Sequence, residues 1–157
     1  MAAKRKRLLR VDDPERQALL SSAVRIELLE HLDAIAPASV RELAARMERS
    51  PHTLHYHARL LHEAGFLIQV GTRSRGARTE TIYDISADRF EFAIDPEQPA
   101  EDRAEVRVMR ANLRHAERAY ARLAVESPER VANGDVIAAR LRARLSRGLE
   151  PQVRGAG

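Results

Sequence analysis

The chain has 157 residues, with 27 Lys and Arg against 23 Asp and Glu, for a formal net charge of +4. This length suits one domain, or a small domain with an appendage. The absence of Cys excludes disulfide scaffolds, thiolate zinc sites, iron–sulfur clusters and Cys nucleophiles. Aromatic residues make up only 4% and Trp is absent, which argues against a base-stacking platform.

The first 13 residues carry five basic and two acidic side chains. This start resembles a signal peptide, but no apolar segment follows before Asp12-Asp13-Pro14. No apolar run approaches the roughly 18–20 residues of a membrane span. We therefore expect a cytoplasmic protein without a membrane partner, and a basic N-terminal arm over residues 1–13 that adds sequence-independent attraction for a polyanion.

Three short helices are predicted next. Asp13-Pro14 combines a capping side chain with Pro at the first helical position. A second helix begins at Ser21-Ser22 and ends before Pro37, with Val24, Leu28, Leu29, Leu32 and Ile35 on one face. Ser39-Val40-Arg41-Glu42 forms a capping box that opens a third helix, on which Leu43 and Met47 point inward.

A tight turn and a fourth helix follow. Glu48-Arg49-Ser50 is the turn, Ser50-Pro51 opens a helix over residues 51–64, and Gly65 ends it. The period then changes to two, which predicts a β-hairpin with a basic tip over residues 71–79. Alternation at Phe90, Phe92 and Ile94 indicates a third short strand or a packed linker.

The Pro-containing segment over residues 95–99 interrupts regular secondary structure, and a long helix is predicted after it, over about residues 100–126. Its apolar residues recur at alternating steps of three and four, which is a heptad pattern. They are Val106, Met109, Leu113, Ala116, Tyr120 and Leu123, called the seam below. The helix either folds back on its own domain or pairs with a second subunit, and the regular seam favours pairing. Four arginines at four-residue spacing form a ridge on this helix, and binding to an acidic partner and simple exposure to solvent are equally compatible with it. They are Arg110, Arg114, Arg118 and Arg122. We expect a last helix over residues 135–147 and a tail over residues 149–157.

The order helix, helix, tight turn, helix, basic hairpin predicts a winged helix-turn-helix. The expected fold is mainly α with a small β-hairpin. It comprises a DNA-binding domain over residues 14–95 and a helical dimerisation region over residues 96–148, with a long helix and a shorter final one.

At about 100° per residue, Leu54, Ala58 and Leu61 share the core side of helix 51–64. A polar set lies opposite, where a plain solvated face would carry Glu and Lys instead. The predicted DNA-binding residues are Ser50, His52, Thr53, His55, Tyr56, Arg59, Arg73, Arg75 and Arg78.

Four segments in order resemble ArsR-type winged-helix regulators. They are Leu20–Leu29, Ser39–Ala44, Ser50–His57 and Leu60–Leu67, within roughly residues 14–86. The resemblance implies a dimeric bacterial transcriptional regulator, often a repressor released by an effector. Ser22-Ala23 stands where the family usually has Asp-Pro, Ala58 replaces a usual Leu, and the family's thiolate metal site has no counterpart here.

The sequence predicts no cofactor, no metal site and no enzyme activity. His52 and His55 have helical i, i+3 spacing but no nearby acidic partner, so we do not expect them to bind a metal. His57, nearer the apolar side, is expected to be half-buried. A small-molecule effector remains open, and no convergent polar set marks a pocket for one. The alternative function is a winged-helix module that binds protein through the same exposed helix.

Overall fold

The computed structural model describes residues 4–95 and 97–132 and shows a mixed α/β protein with a small antiparallel sheet. The helices are α1 (Pro14–Leu19), α2 (Ala23–Ile35), α3 (Val40–Arg46), α4 (Pro51–Glu63), α5 (Ala104–Glu126) and α6 (Pro128–Ala132), with a 3₁₀ turn at Ala100–Asp102. The strands are β1 (Leu9–Val11), β2 (Ala38–Ser39), β3 (Leu67–Arg75), β4 (Arg78–Ile85) and β5 (Phe90–Phe92).

Of the four predicted helix starts, two have the expected side-chain cap hydrogen bond, whereas Ser22 and Ser50 occupy the cap positions of α2 and α4 without one. The Asp13 carboxylate accepts a hydrogen bond from the Glu15 amide, and Pro14 is the first residue of α1. At α3 the capping box is complete. The Glu42 amide donates to the Ser39 hydroxyl at 3.2 Å, and the Ser39 amide donates to the Glu42 carboxylate at 2.7 Å. Gly65 follows α4 with φ of 78°, a left-handed conformation that glycine adopts without steric cost.

Two helix caps provide a matched pair for mutation. Ser39→Ala is expected to lower the free energy of unfolding by about 1 kcal/mol, because it removes the acceptor of a helix amide. Ser22 caps α2 with the same extended backbone but makes no side-chain cap hydrogen bond. Ser22→Ala should therefore leave stability nearly unchanged. Urea denaturation of the two variants measures the difference, and equal losses would contradict the assigned cap.

The larger sheet has the strand order β2-β4-β3 and is antiparallel. Its hairpin is longer than expected, because residues 71–75 continue β3 instead of forming a loop. A register shift between Gln69 and Gly71 absorbs one extra residue, after which Arg73 faces Glu80 and Arg75 faces Arg78. The turn itself is only Gly76-Ala77, where Gly76 has φ of 62°.

A second sheet corrects the expectation of a free N-terminal arm and confirms the third short strand, one of the two alternatives for residues 90–94. β1 pairs with β5 in parallel, the backbone of Lys6 bridges to Ala87, and Val11 is fully buried. Arg5 contacts the carboxylates of Asp33 (3.1 Å), Asp84 (2.6 Å) and Asp88 (3.5 Å). The charge of this arm is thus partly neutralised within the protein. A three-residue strand is too short to show a period, and its partner lies about 80 residues away in the chain.

The core lies between α2, α3, α4 and the base of the hairpin. Leu28, Leu32, Leu43, Leu54, Leu61 and Phe66 are each fully buried. Phe66 also meets Phe90 of β5 edge-to-face, with ring centroids 5.2 Å apart. This core holds α4 on its apolar side and leaves the opposite side free.

The chain divides into two compact units, residues 1–113 and residues 114–157. The first unit includes the start of the predicted dimerisation region, since Ala104, Val108 and Ala111 of α5 are buried there and Val108 belongs to its core. In the second unit, Pro128 ends the long helix as expected but also begins α6. The predicted helix at 135–147 and tail at 149–157 lie outside the described residues. Across residues 4–95 and 97–132, no helix has the length and apolar character needed to span a membrane.

Candidate nucleic-acid interface

Helix α4 presents the predicted polar face to solvent. Its N-cap is Ser50, and Leu54, Ala58 and Leu61 are its buried residues, as the helical period predicts. The predicted contact residues of α4 and its cap are all exposed, namely Ser50, His52, Thr53, His55, Tyr56 and Arg59. Within the described part of the chain, the side chains of His52, Thr53 and His55 make no hydrogen bond. Their donors and acceptors are therefore available to a partner.

Two of these exposed side chains contact each other. The Arg59 guanidinium lies 5.9 Å from the centroid of the Tyr56 ring, in cation–π range. This contact restrains both long side chains on the outer face without using the hydrogen-bond donors of the guanidinium. Because this contact already restricts the rotamers of both side chains, binding of a partner to them costs less conformational entropy.

On one flank of α4, the side chain of His62 contacts both strands of the hairpin. The His62 Nδ1 lies 3.1 Å from the Leu67 carbonyl oxygen, and since that oxygen can only accept, Nδ1 carries the proton. The ring also meets Tyr83 of β4 edge-to-face at 5.7 Å. His62 thus fixes the angle between helix and hairpin, a role that the sequence pattern did not reveal.

The other flank carries His57, which is half-buried as expected. Its Nδ1 is buried and has no hydrogen-bond partner among the described residues. Burial lowers the pKa of His57 below its ordinary value of 6.5, and the positive charges of Arg25 and Arg49 lower it further. The imidazole is therefore neutral in the folded protein near pH 7, and α4 has a cationic environment on this side.

This lowered pKa predicts that stability depends on pH. Between the folded and unfolded pKa values of His57, the unfolded chain binds the extra proton and the folded protein does not. The free energy of unfolding should therefore fall as pH drops below about 6.5. We expect His57→Gln to flatten the change in stability between pH 7 and pH 5.5, measured by urea denaturation. His52→Gln, on the exposed face of the same helix, is the control and should keep the wild-type profile.

The hairpin tip places two cations face to face. Arg75 and Arg78 are directly opposite each other across the strands, and both are exposed. Among residues 4–95 and 97–132, neither side chain forms an ion pair or a hydrogen bond. Like charges in this arrangement destabilise a hairpin. An anion bound between the two guanidinium groups would remove that repulsion.

Arg73 differs from the expectation of a free phosphate ligand. Its Nη1 donates to Glu42 Oε1 of α3 at 2.7 Å, although 31 residues separate the two in sequence. The amide of Ser39 and the Arg73 guanidinium both lower the pKa of Glu42, so its carboxylate stays charged. The reason for the difference is tertiary, since the sheet carries β3 past the start of α3.

A cleft of about 460 Å³ joins the helix to the hairpin. One wall comprises the starts of α3 and α4, and the other comprises the outer half of β4. Its lining residues are Ser39, Val40, Arg41, Pro51, His55, Arg78, Thr79, Glu80 and Thr81. The cleft therefore brings His55 and Arg78, two of the predicted contact residues, to one place.

The predicted seam on α5 is only partly buried. Met109 (50% exposed), Leu113 (57%) and Tyr120 (42%) are large apolar side chains in solvent. Ala116 is also exposed, whereas Val106 and Leu123 are half-buried. The face with Ala104, Val108 and Ala111 packs inward, so α5 folds back on its own domain in part, whereas pairing through the exposed seam stays a prediction. No group of three or more potential metal-binding side chains occurs in the described ranges.

The family model described as HVO_A0114 matches residues 20–85 of this chain. The matched stretch starts just before α2 and ends with β4, so it contains α3, α4 and the whole hairpin. It covers less than half of the chain. No match was found among curated proteins.

Proposed function

We propose that this protein is a DNA-binding transcriptional regulator, a cytoplasmic repressor similar to the ArsR type, and that α3, α4 and the hairpin act as a winged helix-turn-helix. Helix α4 has the dimensions to enter a major groove, and the hairpin beside it is suited to reach the backbone or the adjacent minor groove. The segment matched by the family model, residues 20–85, contains α3, α4 and the hairpin, which are the elements that the proposal uses.

The cleft shared by α4 and β4 is the observation that carries this proposal. Its two walls bring to one opening an exposed imidazole at His55 and the guanidinium of Arg78, which has no acidic partner among residues 4–95 and 97–132. A duplex backbone is a polyanion with phosphates at regular spacing, and an exposed guanidinium such as that of Arg78 is suited to bind one of them.

Each exposed residue has a role that follows from its chemistry. His52, Thr53, His55 and Tyr56 offer hydrogen bonds to base edges, which is where sequence is read. Arg59, Arg75 and Arg78 are suited to phosphates, as is the amide-rich N-terminus of α4 next to Ser50. Base contacts from α4 would determine which site is bound, and arginine contacts would supply most of the affinity.

The exposed seam of α5 supports a homodimer. Two copies paired through Met109, Leu113 and Tyr120 would cover apolar surface that is otherwise in water. A two-fold dimer places two α4 helices for two half-sites about one turn of DNA apart, so the operator would be pseudo-palindromic.

Footprinting on duplex DNA from upstream of the protein's own gene tests the proposal. We expect a symmetric protected site, and binding that weakens steeply as salt rises from 50 to 200 mM. Failure to protect any such duplex, with retained partner binding in high salt, would favour a protein-interaction module instead. Protection that is insensitive to salt would also contradict the proposed arginine contacts.

A further inference from the structure

The outer half of the hairpin and the start of α3 share a cluster of four charged side chains, Arg41, Glu42, Arg73 and Glu80, called the ion cluster below. Arg73 donates to Glu42 at 2.7 Å and stands directly opposite Glu80 across the strands. Arg41 lies 3.9 Å from the Glu80 carboxylate. Two cations and two anions make the cluster neutral, although it adjoins the basic tip.

Glu42 is unusually well fixed for a surface carboxylate. Its Oε2 accepts from the Ser39 amide at 2.7 Å, while its Oε1 accepts from Arg73. Most exposed ion pairs contribute little because two flexible side chains must be ordered. Here the helix cap already orders the carboxylate, so binding Arg73 costs less entropy than usual.

The three hairpin arginines therefore fall into two classes. Arg75 and Arg78 are exposed and have no acidic partner among the described residues, whereas Arg73 is bound to Glu42. A guanidinium that keeps its protein carboxylate releases no counterion from DNA, so it adds nothing to the salt dependence of binding. Glu42, which lies outside the hairpin, therefore limits how many phosphates the hairpin arginines can bind.

We propose that Glu42 withholds Arg73 from the DNA backbone and thereby limits the affinity of the hairpin, which makes Glu42 a determinant of DNA affinity in this protein. The inference rests on the proposed function. It adds that an acidic side chain on α3, and not only the basic side chains of α4 and the hairpin, determines how tightly the protein binds any duplex.

Glu42→Gln is the informative substitution. Gln at this position also completes a capping box, so the helix start is retained while the charge that holds Arg73 is lost. We expect the plot of log K against log salt to become steeper by about 0.9 for each subunit bound, and binding at 0.1 M salt to tighten about eightfold for each subunit, as each gains one phosphate contact. Arg73→Ala alone should leave the slope unchanged. Adding Arg73→Ala to Glu42→Gln should return the slope to the wild-type value.

Glu63→Gln is the matched control, because Glu63 is an exposed carboxylate on α4 without a cationic partner among the described residues. It removes the same charge but frees no arginine, so the slope should stay at the wild-type value. Urea denaturation of each variant verifies that it is folded.

Two results would overturn the inference while leaving the proposed function intact. One is a slope for Arg73→Ala that is flatter by about 0.9, which would show that Arg73 already contacts phosphate. The other is a Glu42→Gln slope equal to that of wild type. Absence of any duplex binding by the wild-type protein would overturn the proposed function, and this inference with it.

Discussion

Replacing Arg75 and Arg78 together by alanine is expected to weaken duplex binding by about 1.8 decades per subunit at 0.1 M salt. Each phosphate contact contributes about 0.9 to the slope of log K against log salt, and this contribution fades near 1 M salt. The two side chains are exposed and face each other at the tip, so their loss should not reduce stability. Removing the like-charge pair should even stabilise the hairpin slightly. Fluorescence anisotropy across a salt series measures the slope, and denaturation measures stability.

A control double variant separates specific contacts from net charge. Arg10→Ala with Arg89→Ala removes the same charge from the region of the β1–β5 sheet, where Arg10 already pairs with Asp12 at 3.2 Å and the Leu9 amide donates to the Arg89 carbonyl. We expect this variant to keep nearly the wild-type slope. A loss equal to that of the tip variant would show that only overall charge matters, and the hairpin would lose its assigned role.

Leu113→Glu is expected to convert a dimer into monomers. Leu113 lies at the middle of the seam and is 57% exposed in the single chain. Burying an unpaired carboxylate at a subunit interface costs roughly 3 kcal/mol or more, which is on the order of 100-fold in the dimer dissociation constant. Since two linked α4 helices bind far more tightly than one, operator affinity should fall about 10²- to 10⁴-fold. Sedimentation equilibrium and footprinting report the two effects.

Val125→Glu provides the comparison on the same helix. Val125 is 82% exposed and lies outside the seam positions. If pairing follows the heptad pattern, this variant stays dimeric and binds DNA normally. A monomeric wild-type protein, or equal effects of both variants, would contradict the assigned seam.

The local features of the interface could be predicted from short stretches of sequence. The Ser39 capping box and the end of α4 at Gly65 depend on residues within one helical turn, so neighbouring side chains determine them. The division of α4 into a buried face with Leu54 and an exposed face with His55 follows from the helical period alone. The half-burial of His57 followed from the same period.

The tertiary structure decided which charges remain available. Arg73 looks equivalent to Arg75 in the sequence, yet the sheet carries only Arg73 to a carboxylate on α3. Arg5 is likewise engaged by Asp33 and Asp84, which are far from it in the chain.

The sequence by itself determined the order of helices and hairpin and the polar face of α4, because local hydrogen bonds and periodicity govern both. It did not determine the β1–β5 pairing or the partners of the arginines. A three-residue strand such as β1 has no period of its own, and an ion pair forms only where the fold brings the charged groups within about 4 Å of each other. Those distances exist only after the chain has packed.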